Sequence, residues 1–257
     1  MKRKAFVKSL LGTSAFLSLP NNVWSENYNE TLNHLEQIKT STQGSMISFK
    51  DKPIKTVNIG IIGLGNRGQT LLQMLEWLGN EKYCKIVALC DLDETKIQAA
   101  EKELNRWQKK PPKTYVGDPN AWKKLTKQDN IDLVLVTTPW EWHTPMSIDA
   151  MQNGKHVACE VPIAYTIEDC WLLTKTAEQT KRHCIMIENC CYNDEELWVL
   201  NMIEQGVFGN ITHAEGAYLH DLRAHMLSDT YYKNQWRLKH HVTRNGNFYT
   251  THGLGPV

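Results

Sequence analysis

The chain has 257 residues, of which 41% are hydrophobic and 22% are charged, so we expect a soluble globular protein with one or two domains. Its 29 lysines and arginines nearly balance its 28 aspartates and glutamates. The chain as a whole therefore has no large excess of positive charge that would indicate nucleic acid or an anionic membrane surface as a partner. A small-molecule partner is favoured.

The first segment of the chain predicts an export signal. Residues 1–25 begin with basic side chains and continue with a weakly apolar run, Leu10–Leu19, that is too short to span a bilayer. Arg3–Lys8 resembles a twin-arginine motif, although Lys4 occupies the place of the second arginine. We expect a periplasmic protein without a membrane span, and a basic, disordered N-terminus is the alternative. Residues 26–52 are polar and predict a linker.

Residues 53–187 have the alternation of a Rossmann domain. Short β-branched runs alternate with amphipathic segments such as QTLLQMLEWL, in which four leucines share one face. The runs are VNIGII, KIVALC, DLVLVTT, KHVACE and CIMI. Buried strands that alternate with helices predict an α/β fold built on a doubly wound parallel sheet.

The first turn of this domain has the pattern of a dinucleotide site. GLGNRG follows VNIGII directly and begins a helix, which is the context that makes this motif specific. Gly63 permits a tight turn, Gly65 lets the backbone approach a pyrophosphate, and Gly68 allows close helix packing. The predicted cofactor-binding residues of the loop are Gly63, Gly65, Asn66, Arg67 and Gly68.

Two further segments predict the cofactor and its surroundings. Asp91 ends the strand after the glycine loop, where a carboxylate binds a ribose 2′-hydroxyl and repels a 2′-phosphate, so NAD is predicted rather than NADP. Trp140, Glu141, Trp142 and His143 follow the strand DLVLVTT at the crevice where open parallel sheets bind ligands. We expect them to line the nicotinamide side of the cofactor, with plain packing roles as the alternative.

Residues 188–257 predict the start of a second domain. NDEELWVLNMIEQG reads as a helix closed by Gly206, and the alternation in ITHAEGAYLH predicts a strand of a second, open sheet. Roughly 70 residues are too few for a substrate domain with its own sheet and core. We therefore expect the sequence to be truncated.

Neither cysteines nor histidines predict a disulfide framework or a metal site. The seven cysteines include no C-x-x-C pair and favour buried free thiols. His240 and His241, like His220 and His225, lack the spacing of zinc ligands.

Several short motifs follow one another along the chain from about Val57 to the last residue. They are GLGNRGQ, TPWEWH, EVP, ENCCY, GAYLHDLR, WRL and THGLGPV. Together they resemble the Gfo/Idh/MocA oxidoreductases and, more closely, glycoside hydrolase family 109, the NAD-dependent α-N-acetylgalactosaminidases. The resemblance implies a Rossmann domain followed by an α/β substrate domain with an open sheet.

The EVP motif distinguishes the hydrolase family from the other oxidoreductases. In the oxidoreductases the lysine of Glu-Lys-Pro assists proton transfer, whereas this chain has Glu160, Val161 and Pro162. The hydrolase family also lacks the lysine, so its absence favours the hydrolase. Glu160 and Val161 are expected beside the cofactor, and a helix N-cap is the alternative for Glu160.

The resemblance also implies a mechanism. Carbon 3 of the sugar is transiently oxidised by NAD, a base removes the proton on carbon 2 as the aglycone leaves, water adds, and the hydride returns. Tyr192 is the predicted base and His252 the second acid or base. For Tyr192, a buried aromatic at a domain junction is the alternative. A threonine, Thr250, stands near His252 where the family has proline.

The remaining predicted roles concern binding. Asn189 is expected at the nicotinamide ribose or carboxamide, and His220 and Arg223 are expected to be structural. The residues predicted to hold sugar hydroxyls and the acetamido group are Tyr218, Arg237, Tyr249 and His252.

The first hypothesis is thus an exported NAD-dependent glycosidase that removes terminal α-N-acetylgalactosamine from glycans. An NAD-dependent sugar dehydrogenase and a non-catalytic sugar- or NAD-binding protein are the alternatives. The sequence leaves the oligomeric state open, a homo-oligomer being one option.

Overall fold

The computed structural model describes residues 45–228, 230–232 and 235–257. They lie in one compact unit, Gln43–Val257. The predicted signal peptide and the first part of the predicted linker lie outside the described residues and stay predictions. In the described part of the chain, none of the helices combines the length and the hydrophobicity that a membrane crossing needs.

Six parallel strands form one sheet in the order β3-β2-β1-β4-β5-β6. The strands are β1 (Val57–Ile62), β2 (Cys84–Asp91), β3 (Lys113–Val116), β4 (Leu133–Val136), β5 (His156–Cys159) and β6 (Cys184–Met186). The chain builds the sheet outwards from β1 to β3 and then crosses back to place β4 on the other side of β1. This order confirms the predicted doubly wound sheet and opens a crevice beside the end of β1.

Helices cover both faces of the sheet. They are α1 (Asn66–Asn80), α2 (Glu94–Leu104), α3 (Trp122–Thr126), α4 (His143–Gln152), α5 (Ile167–Thr180), α6 (Asp194–Glu204), α7 (Arg223–Met226), α8 (Trp236–Thr243) and α9 (Thr250–Leu254). Leu71 and Leu72 of α1 pack with residues of α2 in one buried cluster. Leu125 of α3 and Met151 of α4 pack in the cluster on the opposite face. A fully buried leucine such as Leu72 contributes about 1.5–3 kcal/mol.

Two elements differ from the sequence predictions. Strand β3 was missed, because its four residues lie at the sheet edge and are mostly exposed, so they lack a buried apolar run. The stretch 211–220, predicted as a strand, has no regular secondary structure. Within the described residues no other strand lies beside it, and an alternating pattern alone cannot satisfy the hydrogen bonds of an unpaired strand. The predicted helix before Gly206 is confirmed as α6, and Gly206 adopts φ +73°.

All seven cysteines lie in the described part of the chain and are free thiols, as predicted. Cys84, Cys90 and Cys159 are buried in the sheet. The expectation of buried thiols is wrong at the other four positions, because Cys170 on α5 is exposed and the remaining three are half-buried: Cys184, Cys190 and Cys191.

Candidate functional site

The carboxyl ends of the parallel strands meet at one edge of the sheet. Polar or glycine residues lie at five of these ends or within two residues after them: Gly63, Asp91, Thr137, Glu160 and Glu188. Since such edges are where open α/β sheets bind ligands, this is the candidate site.

The glycine loop has the close backbone contacts that its motif predicts. Gly63 adopts φ +92°, and a Cβ there would lie 2.8 Å from the backbone of Thr137. A Cβ on Gly68 would lie 2.2 Å from the carbonyl oxygen of Gly63. A Cβ on Gly65, in contrast, would meet nothing within 4 Å. The loop is therefore tightly packed on its inner side and open at Gly65. Sequence reasoning missed Thr137, whose hydroxyl donates to the Gly63 carbonyl, although its place after β4 was a signal.

This loop fits the pyrophosphate and ribose of NAD. The first turn of α1 has no side-chain cap, so its amides are available to a phosphate. Asp91 accepts the amide of Leu64 at 2.6 Å and that of Asp93 at 2.9 Å. These bonds hold its carboxylate at the loop, and its remaining lone pairs can accept ribose hydroxyls.

Arg67 and Glu160 link the loops after β1 and β5. Arg67 Nε lies 2.6 Å from Glu160 Oε1, and Glu160 Oε2 accepts the amide of Val161 at 3.1 Å. Both side chains were predicted to contact the cofactor, and this ion pair already uses Nε of Arg67 and one carboxylate oxygen of Glu160. The alternative N-cap role of Glu160 is wrong, because Thr166 caps the next helix. Val161 is 6% exposed and places no ionisable group at the position of the missing lysine.

His143 is held between two backbone carbonyls. Its Nδ1 lies 2.7 Å from the oxygen of Pro162 and its Nε2 lies 2.7 Å from the oxygen of Thr138. The side chain is 1% exposed, and burial lowers its pKa. This geometry favours a structural role, joining the loops after β4 and β5, over the predicted contact with the cofactor.

The three residues before His143 differ in their exposure to solvent and in their contacts. Trp140 is 2% exposed and packs against the rings of Trp236, Phe248 and Tyr249. Glu141 is exposed, with one oxygen 3.5 Å from His240 Nε2. Trp142 is also exposed. Of the predicted nicotinamide wall, Trp142 and Glu141 are thus the accessible members.

Arg237 lies in an aromatic cage. Its guanidinium carbon lies 4.6 Å from the ring centre of Tyr249 and 5.2 Å from those of Trp140 and Tyr232. Its Nη1 donates to the hydroxyl of Tyr232 at 2.6 Å, while its buried Nε has no partner among the described residues. Burial raises the pKa of Tyr249 to about 12 although Arg237 lowers it. The Tyr249 phenol is therefore protonated at neutral pH and can donate a hydrogen bond.

A short polar contact of the site joins Glu188 and His252. Glu188, two residues after β6, has Oε1 2.5 Å from Nδ1 of His252 on α9. The ring of His252 lies 4.6 Å from that of Tyr218 and 4.9 Å from that of Tyr249. Glu188 had no role predicted from the sequence. Its position at the carboxyl end of a strand was a signal, but its pairing with a residue 64 positions later was not visible.

Hydrogen bonds determine the charge of Glu188. Burial alone would raise its pKa, but hydrogen bonds from His252 and from the amide of Cys190, with the nearby hydroxyl of Thr251, together lower the pKa below its ordinary value. The carboxylate is therefore ionised at neutral pH, and a hydrogen bond to it places the ring proton of a neutral His252 on Nδ1. Nε2 is then the basic nitrogen.

The other predicted site residues differ in their exposure to solvent and in their contacts with this pair. Tyr218 has its hydroxyl 2.6 Å from His220 Nδ1, and Asn189 is exposed. Tyr192 is 67% exposed, and none of the hydrogen bonds or ring contacts between described residues involves its phenol. Asn66 is exposed and donates weakly to Tyr231 at 3.4 Å. The structure thus brings His252, Tyr218, Tyr249 and Arg237 together but leaves Tyr192 apart.

A cavity of about 240 Å³ lies beside these residues. Trp140, Pro162, Tyr165, Arg244 and Thr251 are among the side chains that line it. Thr251, next to His252 in the chain, lines the cavity, but His252 itself does not. The cavity is smaller than the roughly 300–1,000 Å³ of typical ligand pockets.

Two family models match the chain. Residues 57–188 match an oxidoreductase family with an NAD-binding Rossmann fold. Residues 192–257 match the C-terminal domain of glycosyl hydrolase 109.

Curated relatives and solved structures agree with these matches. An α-N-acetylgalactosaminidase of Bacteroides fragilis is 46% identical over 224 residues, 86% of this chain and 52% of the relative. One of Shewanella oneidensis is 41% identical over 219 residues, 85% of this chain and 47% of the relative. The chain therefore spans about half the length of the curated relatives it matches.

Among solved structures, scyllo-inositol dehydrogenase of Lactobacillus casei, with bound NAD(H) and scyllo-inositol, superposes with a TM-score of 0.52 at 24% identity. The match covers 62% of this chain and 44% of that one. At this identity the likeness concerns the fold alone.

Proposed function

The chain belongs to the Gfo/Idh/MocA oxidoreductase family, in the branch with a glycosyl hydrolase 109 C-terminal domain, and we propose that its protein is an NAD-dependent α-N-acetylgalactosaminidase. The substrate is a glycan or glycoside with a terminal α-linked amino sugar. Both curated relatives described above have the corresponding name. The confirmed Rossmann domain provides the NAD site that such an activity needs.

The observation that carries the proposal is the Glu188–His252 pair. It supplies a positioned proton acceptor at the carboxyl edge of the sheet, where the cofactor site also lies. The absent lysine supports the same conclusion, because Val161 is buried and cannot move a proton. An ordinary dehydrogenase of this fold would lack its usual relay here.

Bound NAD would supply reversible hydride exchange with ring carbon 3 of the sugar, so that no net oxidation results. The side chains do the remaining work. Glu188 holds the His252 ring so that Nε2 can accept or return a proton. Tyr218 and Tyr249 lie against this ring, and their phenols can donate to sugar oxygens. Arg237, fixed by its aromatic cage, holds a positive charge near a developing enolate.

The proposal is tested with the protein expressed from its complete reading frame. The assay follows release of a chromogenic aglycone from an α-N-acetylgalactosaminide and the absorbance of NADH in the same cuvette. We expect aglycone release that depends on NAD but leaves no lasting NADH. Stoichiometric NADH without release would instead indicate a sugar dehydrogenase, and neither signal would indicate a binding protein.

Tyr192→Phe tests the predicted base. If the phenol removes the proton on carbon 2, this variant lowers kcat by roughly 10²–10⁴-fold and leaves NAD affinity unchanged. Because Tyr192 is 67% exposed, the substitution is not expected to change the free energy of unfolding. Tyr231→Phe, another exposed tyrosine, is the matched control. A Tyr192→Phe enzyme with the parent kcat would remove Tyr192 from the mechanism.

A further inference from the structure

We propose that Glu188, Cys190 and His252 form a binding site for a divalent transition-metal cation such as Zn²⁺. The carboxylate oxygen, the sulfur and the imidazole nitrogen all lie within 4.8 Å of one another. No metal site was predicted from the sequence, because its neighbouring histidines lack the spacing of zinc ligands. His252 is 62 positions from Cys190 and 64 from Glu188, so only the fold brings the trio together.

The donor set suits zinc. Imidazole nitrogen, thiolate sulfur and carboxylate oxygen are its usual protein ligands. A thiolate at Cys190 and the carboxylate at Glu188 would together neutralise the charge of a divalent ion, while hard cations such as Mg²⁺ prefer oxygen ligands alone. The site therefore selects a borderline transition metal.

The distances fit a tetrahedral ion after one small movement. Bonds of about 2.0–2.3 Å keep the ligand atoms of tetrahedral zinc roughly 3.3–3.8 Å apart. Cys190 Sγ already lies 3.4 Å from His252 Nδ1. The Glu188 to His252 distance of 2.5 Å must lengthen by about 1 Å as the ion replaces the shared proton.

A second observation points to a ligand. Glu188 is 3% exposed, yet its buried Oε2 has no hydrogen-bond partner among the described residues. The hydroxyl of Thr251 lies near enough to lower the pKa of Glu188 but does not complete a hydrogen bond. Buried oxygens without partners are costly, and a bound cation would offset this cost because its positive charge stabilises both oxygens of the carboxylate.

Access and protonation also permit binding. Cys190 is half-buried, so solvent can reach the trio and water can complete the fourth position. Burial and the nearby charge of Glu188 raise the pKa of the Cys190 thiol, so the ion must displace one proton on binding. If the proposed function holds, an ion on Nδ1 would also place the ring proton on Nε2 and block proton transfer by His252.

The experiment measures binding directly, without the enzymatic assay. The purified protein from its complete reading frame is titrated with Co²⁺ to look for thiolate-to-cobalt charge-transfer absorption, and with Zn²⁺ in competition with a chromogenic chelator. We expect the absorption band in the parent protein. We expect Cys190→Ser to remove the band and to weaken Zn²⁺ binding by roughly 100-fold. Cys191→Ser is the matched control, because this adjacent, half-buried thiol is not part of the trio.

Two results would overturn the site. One is the absence of the charge-transfer band in the parent protein, which requires no variant to fold. The other is unchanged Zn²⁺ affinity in a Cys190→Ser protein whose thermal unfolding matches that of Cys191→Ser. Since neither readout uses substrate, failure of the glycosidase assay would leave the metal site standing, and loss of the metal site would leave the glycosidase standing.

Discussion

Replacing Gly68 with alanine is expected to abolish measurable NAD binding and to destabilise the sheet domain. The new Cβ would lie 2.2 Å from the carbonyl oxygen of Gly63. This oxygen belongs to the backbone of a tight turn that Thr137 also holds, so it cannot move aside without shifting the loop. Overpacking of this kind costs about 1–3 kcal/mol, and the displaced loop would lose the phosphate-binding amides. Denaturant unfolding and calorimetric titration with NAD measure the two effects.

Gly65→Ala separates binding from folding. A Cβ at Gly65 meets nothing within 4 Å, and its φ of −67° suits alanine, so the free energy of unfolding should change by less than about 0.5 kcal/mol. The same Cβ would occupy the space through which a pyrophosphate approaches the backbone, so NAD affinity should still fall. Unchanged NAD affinity in Gly65→Ala would mean that the pyrophosphate does not bind at this loop. Parent-like stability in Gly68→Ala would contradict the tight packing of the turn.

Replacing His252 with alanine is expected to lower kcat by roughly 10²–10⁴-fold, the range for loss of a general acid or base. NAD affinity should not change, because the ring lies with Glu188, Tyr218 and Tyr249 and makes no contact with the glycine loop among the described hydrogen bonds. Steady-state aglycone release and NAD titration measure the two quantities.

Glu188→Gln tests how the pair works. An amide can donate its N–H to Nδ1 and so favour the tautomer that has its proton on Nε2, which removes the basic nitrogen. We therefore expect kcat to fall by about 10²-fold or more while KM changes little. Asp51→Asn is the matched control, because Asp51 also pairs with a histidine, at 3.2 Å from His156 Nε2 near the start of β5. If Glu188→Gln and Asp51→Asn have equal kcat, the Glu188–His252 pair has no catalytic role.

The sequence alone determined the parts of this protein that depend on local pattern. Short buried strands alternating with amphipathic helices predicted the doubly wound sheet, because burial on both faces requires continuous apolar runs. The glycines at 63, 65 and 68 predicted the turn through their spacing, directly after a strand and at the start of a helix. Asp91 could be placed beside this loop because adjacent parallel strands end at the same edge.

Only the tertiary structure decided which side chains of the second segment meet. Tyr192 and His252 had similar support as acid or base candidates, yet His252 is paired with Glu188 and Tyr192 is exposed. His143 follows a strand end, where a cofactor contact is expected, but it lies between two backbone carbonyls. The Glu188–His252 contact joins residues 64 positions apart, and the contact of His143 with Pro162 joins residues 19 apart. A local sequence pattern does not reveal such contacts, because they form only when the sheet and its flanking helices pack together.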